Sequence, residues 1–108
     1  FLVRYTLYII QLHNSANGTI SLQNYGYNLN EEWHIEAECE YVQIQSNLFK
    51  IEAGYDFLTI SDESVTKQFS GTEKINETMH GNFSILFTSD SYVNDEGFIL
   101  LWRCLKYA

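Results

Sequence analysis

Gly54-Tyr55-Asp56-Phe57-Leu58-Thr59-Ile60-Ser61-Asp62, then Phe69-Ser70-Gly71, then Phe83-Ser84-Ile85-Leu86-Phe87-Thr88-Ser89-Asp90 and Gly97-Phe98-Ile99-Leu100-Leu101-Trp102 decide how this chain is read. Apolar runs are joined by turn-rich segments, and an acid stands at the edge of two of them, Asp56 and Asp90. Phe83, Ile85 and Phe87 alternate with Ser84, Leu86 and Thr88, and Phe98, Leu100 and Trp102 with Ile99, Leu101 and Arg103. A period of two is the mark of a strand, and apolar residues on both faces suit strands deep in a sandwich.

Upstream, Trp33, Ile35, Ala37, Cys39 and Tyr41 alternate with His34, Glu36, Glu38 and Glu40. A helix would spread those glutamates around its circumference, whereas a strand gathers them on one wet face, so the segment reads as strand through Tyr41. Turn signals separate the runs at Asn17-Gly18, Tyr25-Gly26, Gly54, Ser61-Asp62-Glu63-Ser64, Ser70-Gly71, His80-Gly81 and Asp95-Glu96-Gly97. Strands at this spacing predict an all-β fold, an antiparallel β-sandwich. No segment makes a long helix, and there is no internal repeat or low-complexity tract.

The chain has 108 residues, enough for one hydrophobic core. It is 45% hydrophobic and 16% aromatic, too apolar for a disordered segment. Fourteen acids against six bases give a formal charge of −8, which excludes a nucleic-acid footprint and favours a cationic partner, either a metal ion or a basic protein surface. No apolar run approaches the roughly 20 residues of a membrane span. The opening Phe1–Ile10 is apolar but broken by Arg4 and Thr6, and it does not read as a signal peptide. Asn17-Gly18-Thr19, Asn76-Glu77-Thr78 and Asn82-Phe83-Ser84 fit the N-glycosylation pattern near turns, which points to a secreted glycoprotein modified at Asn17, Asn76 and Asn82.

In order and spacing, the region from about Asn17 to Trp102 resembles the CUB domain, an extracellular jelly-roll sandwich that binds proteins and often calcium. The resemblance is carried by Gly18-Thr19-Ile20, Asn24-Tyr25-Gly26-Tyr27, Trp33-His34-Ile35, Tyr55-Asp56, Phe69-Ser70-Gly71, Ser89-Asp90 and Gly97-Phe98. No single piece is specific; the ordered set is. Both disulfides usual in the family are missing as whole pairs: Glu31 and Ser70 stand where cysteines belong, nothing before Cys39 is cysteine, and Ala53 or Gly54 holds the remaining position. The family's prolines are absent too, since the chain has none. Cys39 and Cys104 are either two buried thiols or a bridge foreign to the family, and a secreted setting favours the bridge.

The resemblance implies a calcium site at Glu52, Asp56 and Asp90, completed by carbonyls near Tyr92 or Val93. Glu52 fits less well because the loop before Tyr55 is shortened, and Val93 replaces an asparagine that often completes the set. Read without the family, Asp56 and Asp90 are strand-end acids bonding turn backbone. The resemblance also implies that a partner's basic side chain, usually lysine, is gripped at the ion's edge, with Tyr25 in the assisting loop. Catalysis finds no support in the sequence: His13, His34 and His80 are scattered, and neither a zinc-binding helix nor a nucleophile elbow is present.

Residues 1–13 precede the family-like domain of 14–108 and form a β-prone segment, apolar on both faces. Leu2, Tyr5, Leu7 and Ile9 need burial, either in the chain's own sandwich or on the sheet edge of a neighbouring copy, where head-to-tail donation would build a filament. A third reading is a segment of a larger protein. The functional expectation is therefore a non-catalytic extracellular module for protein association, calcium-dependent through its acids, with a structural protomer polymerised through its N-terminal strand as the alternative.

Overall fold

The computed structural model of the chain describes residues 8–10, 16–91 and 95–105. Seven strands form one hydrogen-bonded network: β1 (Tyr8–Ile10), β2 (Asn17–Gln23), β3 (Asn30–Lys50), β4 (Phe57–Ser61), β5 (Thr66–Phe69), β6 (Asn76–Thr88) and β7 (Gly97–Cys104). Their order is β2-β7-β3-β6-β4-β5, antiparallel throughout, while β1 lies parallel to β3. The all-β antiparallel expectation holds.

Two strands, β3 and β6, are long because each serves both layers. The first part of β3 pairs Asn30–Glu36 with Asn82–Thr88, and the second pairs Tyr41–Gln45 with Asn76–His80, with a register break between Glu36 and Tyr41. Beyond the break, β3 also pairs with β7. The network therefore folds over: one layer holds β1, the first half of β3, the second half of β6, β4 and β5; the other holds the remaining halves with β7 and β2.

The break corrects one expectation. Trp33 and Ile35 are buried as the odd-numbered alternation requires, but past the bulge the buried positions become Val42 and Ile44. Tyr41 instead faces outward and lies against the His80 ring, with centroids 4.9 Å apart. Extra residues on one strand reverse the side-chain phase. At the centre of the bend, Gly81 lets β6 pass so close to β3 that a Cβ there would lie 2.0 Å from the Cys39 carbonyl oxygen.

Aromatic side chains fill the space between the layers. Phe98 of β7 meets Trp33 edge-on at 6.0 Å and Phe87 at 5.3 Å, and Trp102 meets Phe83 at 5.9 Å. Each pair joins one layer to the other, and burying each such ring contributes about 1.5–3 kcal/mol. Cys39, in the bend, is bonded to Cys104 at the end of β7, with Cα atoms 5.8 Å apart. The bond therefore ties the layers at one pole of the molecule. Segments 24–29, 51–56, 89–91 and 95–96 gather at the opposite pole, where β2 ends and β3, β4 and β7 begin.

Tyr8–Ile10 pair with Glu32–His34 of the same chain. Leu2, Tyr5 and Leu7 lie outside the described residues, as do Tyr92 and Val93.

Candidate functional site

The loop pole is built around Asp56, which is completely buried. A buried carboxylate has to be hydrogen-bonded or neutralised. Its Oδ2 accepts a hydrogen bond from the Tyr25 hydroxyl, and its Oδ1 accepts one from the Asp90 N–H at 3.0 Å. The Asp56 N–H in turn donates to the Glu52 carbonyl at 3.0 Å, closing the turn that contains Gly54 at φ 80°. These bonds hold Glu52, Asp56 and Asp90 together: one oxygen from each carboxylate lies within 4.8 Å of the other two.

Tyr25 enters the interior from a loop whose Asn24 and Asn28 both have positive φ, a conformation asparagine tolerates better than most residues. Its ring packs edge-on against Phe87 at 4.9 Å, and its hydroxyl accepts the Glu52 N–H at 3.2 Å. Burial first, then the bond to Asp56, holds the phenol well above its ordinary range, so it stays protonated and donates to Asp56. Tyr25, expected in the loop that assists partner binding, lies directly beneath the acids. The residue is 2% exposed and orients Asp56 from below. Among the described residues, the tyrosines most exposed at this pole are Tyr27 and Tyr55.

Two serines brace the same pole. The Ser70 hydroxyl donates to the Asp56 carbonyl at 2.8 Å and lies 3.3 Å from that of Glu52, and it accepts the Gly54 N–H at 2.8 Å. The Ser89 hydroxyl donates to the Gly26 carbonyl at 3.0 Å and accepts the Leu29 N–H at 2.9 Å. Both serines stand in segments that carry the resemblance, Phe69-Ser70-Gly71 and Ser89-Asp90, but their bracing role was not read from the sequence. Ser70 faces Gly54, one of the two positions with which the resemblance paired it, so that pairing was the available signal.

Electrostatically, the cluster is unbalanced. Glu52 Oε1 is buried and has no hydrogen-bond partner. Burial, then the charges of Asp90 and Asp56, hold the Glu52 carboxyl above its usual range. Calcium binds oxygens at about 2.4 Å, so two ligands of one ion lie at most about 4.8 Å apart, and this donor set meets that limit. The acids thus fit a hard divalent cation.

The other expected site residues are distributed over the strands. Asn17, Asn76 and Asn82 are exposed on β2 and on the two halves of β6. Ile9 lies in β1, in register with Trp33. Away from the loop pole, His80 donates its N–H to Asp62 at 2.8 Å, and its ring Nδ1 lies 3.0 Å from the same oxygen. Burial alone would raise the Asp62 carboxyl. The His80 and Ser64 N–H groups, the His80 ring and the Val65 N–H outweigh it and bring Asp62 down to about 2.

Known structures share this architecture. The CUB2 domain of MASP-1, in a structure bound to Ca2+, superposes with a TM-score of 0.74 at 24% identity, over 85% of this chain and 96% of that one. The CUB1-EGF-CUB2 region of human MASP-1/3 gives 0.75 at 23% identity, over 88% of this chain and 42% of the larger one. The full extracellular region of zebrafish Gpr126/Adgrg6 gives 0.72 at 19%, over 91% of this chain and 14% of that one. No protein-family profile matches the chain, and no curated protein matches it in sequence. The fold is CUB-like.

Proposed function

We propose that this chain is a non-catalytic, extracellular recognition module that holds calcium at Glu52, Asp56 and Asp90 and uses the loaded site to bind a protein partner through a basic side chain. The observation that carries the reading is the buried, unpartnered Oε1 of Glu52 within a cluster of three carboxylates. A buried carboxylate oxygen without a partner is costly, and a cation would supply what is missing. Asp56 cannot turn away to solvent, since Tyr25 and the Asp90 N–H hold both its oxygens. The Ca2+-bound MASP-1 domain of the same fold adds support by analogy.

Bound calcium would supply positive charge and fix the loops. The chain's own residues do the rest: Tyr25 orients Asp56, Ser70 and Ser89 hold the loop backbones, and any acid oxygen left at the rim can accept a partner's ammonium group. The internal pairing of β1 supports a module over a head-to-tail polymer, because Tyr8–Ile10 already use the edge of their own sheet.

Calcium titration calorimetry tests the proposal. The wild-type chain is expected to bind one equivalent, and Asp56→Ala or Asp90→Ala to abolish binding. Unchanged affinity in both variants would move the site elsewhere. For the alternative, deleting residues 1–12 is expected to leave particle size unchanged, and a collapse from polymer to monomer would restore the filament reading.

A further inference from the structure

The outer face of the β2–β7–β3–β6 layer is chemically unlike the rest of this acidic chain. Strand register stacks Asn17, Arg103, Gln43 and Thr78 in one row across it, and Thr19, Leu101, Gln45 and Asn76 in the next. Fourteen acids are spread through the sequence, yet neither row contains a carboxylate, and Arg103 is the single charge. Leu101, 44% exposed, stands mid-row with apolar surface open to water.

Two of the three sequons lie on this face. Residues two apart on a strand share a side, so Asn17 and Thr19 point outward together on β2, as do Asn76 and Thr78 on β6; all four are exposed. The two asparagines are three strands and two residues apart, about 16 Å, with Leu101 between them. Asn76 is also oriented. Arg103 Nη2 donates to Gln43 Oε1 at 2.6 Å, and Gln43 Nε2 donates to Asn76 Oδ1 at 2.9 Å. That relay ties the carboxamide oxygen toward the sheet and leaves Nδ2, the atom to which a glycan bonds, on the side away from Gln43.

We propose that Asn17 and Asn76 both carry N-glycans, and that the two sugars jointly cover Leu101 and the carboxylate-free rows around it, closing them to protein partners. The donor is a polyprenyl-diphosphate-linked oligosaccharide of the secretory pathway. Each Asn Nδ2 forms a bond to the sugar C1 and loses one proton, while the C1–O bond to phosphate breaks and the polyprenyl diphosphate leaves. Glycans are bulky and solubilising, and a strand face that keeps Asn exposed after folding can retain them. Asn82 is separate: it pairs with Glu36 on the other layer. Neither Asn17 nor Asn76 lies in the loops of the acidic cluster, so the covered face leaves that pole open.

This inference rests on secretion, as does the proposed function, but calcium binding is read at the other pole, so either can fail alone. The full chain is secreted from eukaryotic cells, and glycopeptides are mapped after enzymatic release in heavy-oxygen water, which marks each formerly modified asparagine. Both Asn17 and Asn76 are expected to be marked; an unmodified site overturns the proposal. In the Thr19→Val, Thr78→Val double variant, binding of a hydrophobic dye is expected to rise several-fold, and adding Leu101→Thr is expected to reverse it. Unchanged dye binding would overturn the shielding role. If the double variant is not secreted, releasing the glycans from the folded wild-type protein exposes the same face to the same readout.

Discussion

At Ser70, one hydroxyl joins two loop segments. It holds Gly54 N–H and the Asp56 carbonyl at once, fastening the turn that presents Glu52 and Asp56 to the start of the next loop. Ser70→Ala leaves those backbone groups without their partner and is expected to cost about 1–3 kcal/mol in urea unfolding. Calcium affinity should fall with it, because the loosened turn carries two of the three proposed ligands; equal affinity would mean that Ser70 serves stability alone. The position of this residue was legible in the sequence, but its hydrogen bonds were not, since a serine replacing a cysteine reads only as a loss until the facing backbone is known. The burial of Tyr25 was illegible for a related reason: its loop was placed correctly, but two positive-φ asparagines turn the ring inward, and sequence alone does not say which of several tyrosines in a loop is the buried one. Asp62 supports a test by pH. Its folded carboxyl, at about 2, lies below the usual value near 4 in an unfolded chain, so the stability it supplies is present above pH ~4 and lost as pH falls through ~2. That contribution is on the order of 1–2 kcal/mol. Asp62→Asn should be less stable at neutral pH and show a shallower acid limb; parallel acid curves for the two proteins would show that Asp62 gains nothing from its bonds.

Strand β3 shows why element boundaries were read less well than element types. The alternation from Trp33 onward identified a strand correctly, yet the same pattern could not reveal that the strand crosses between layers and reverses its phase near residue 40. A bulge is set by the partner strand, and the partner's contribution here is a single residue without a side chain. Placing a methyl group at Gly81 would bring it against the Cys39 carbonyl, which is backbone and cannot swing aside. Gly81→Ala is expected to cost roughly 3 kcal/mol. Gly26→Ala, where a Cβ meets nothing within 4 Å, is the control and should be nearly neutral. Similar unfolding midpoints for the two variants would mean that the bend relaxes easily and does not fix the crossover. The second half of β6 and β7 were readable because their phase never changes within a layer: Phe83, Ile85 and Phe87 are all buried, as are Phe98, Leu100 and Trp102. The first half of β6 was not, because His80-Gly81 reads as a turn yet lies inside the strand.

Across the whole molecule, the covalent tie and the charge cluster occupy opposite poles. The Cys39–Cys104 bond spans 65 residues of sequence and closes the pole where the layers fold over, a constraint valued at about 4 kcal/mol in the chain-entropy model. The loop pole has no such tie among the described residues and depends on serines, Tyr25 and the balance of three acids. Its stability should therefore be the part of the fold that responds to calcium. Glu52 sets the sign: its folded carboxyl is raised by burial and by Asp90 and Asp56, so it supports the folded state when protonated, and that support disappears as pH rises through its raised value. The calcium-free domain should lose stability over that window, while calcium, which binds the deprotonated acids, should offset the loss. With calcium about 100-fold above its Kd, the gain is about 2.7 kcal/mol, a shift of roughly 10 °C in Tm for a domain of this size. Melting curves with calcium and with chelator should thus converge at acid pH and separate as pH rises toward neutrality. In Glu52→Gln the chelated protein should lose its dependence on pH in this window, and the calcium shift should shrink. A calcium shift of the same size at acid and neutral pH would show that the stabilising ion sits outside the Glu52, Asp56 and Asp90 cluster.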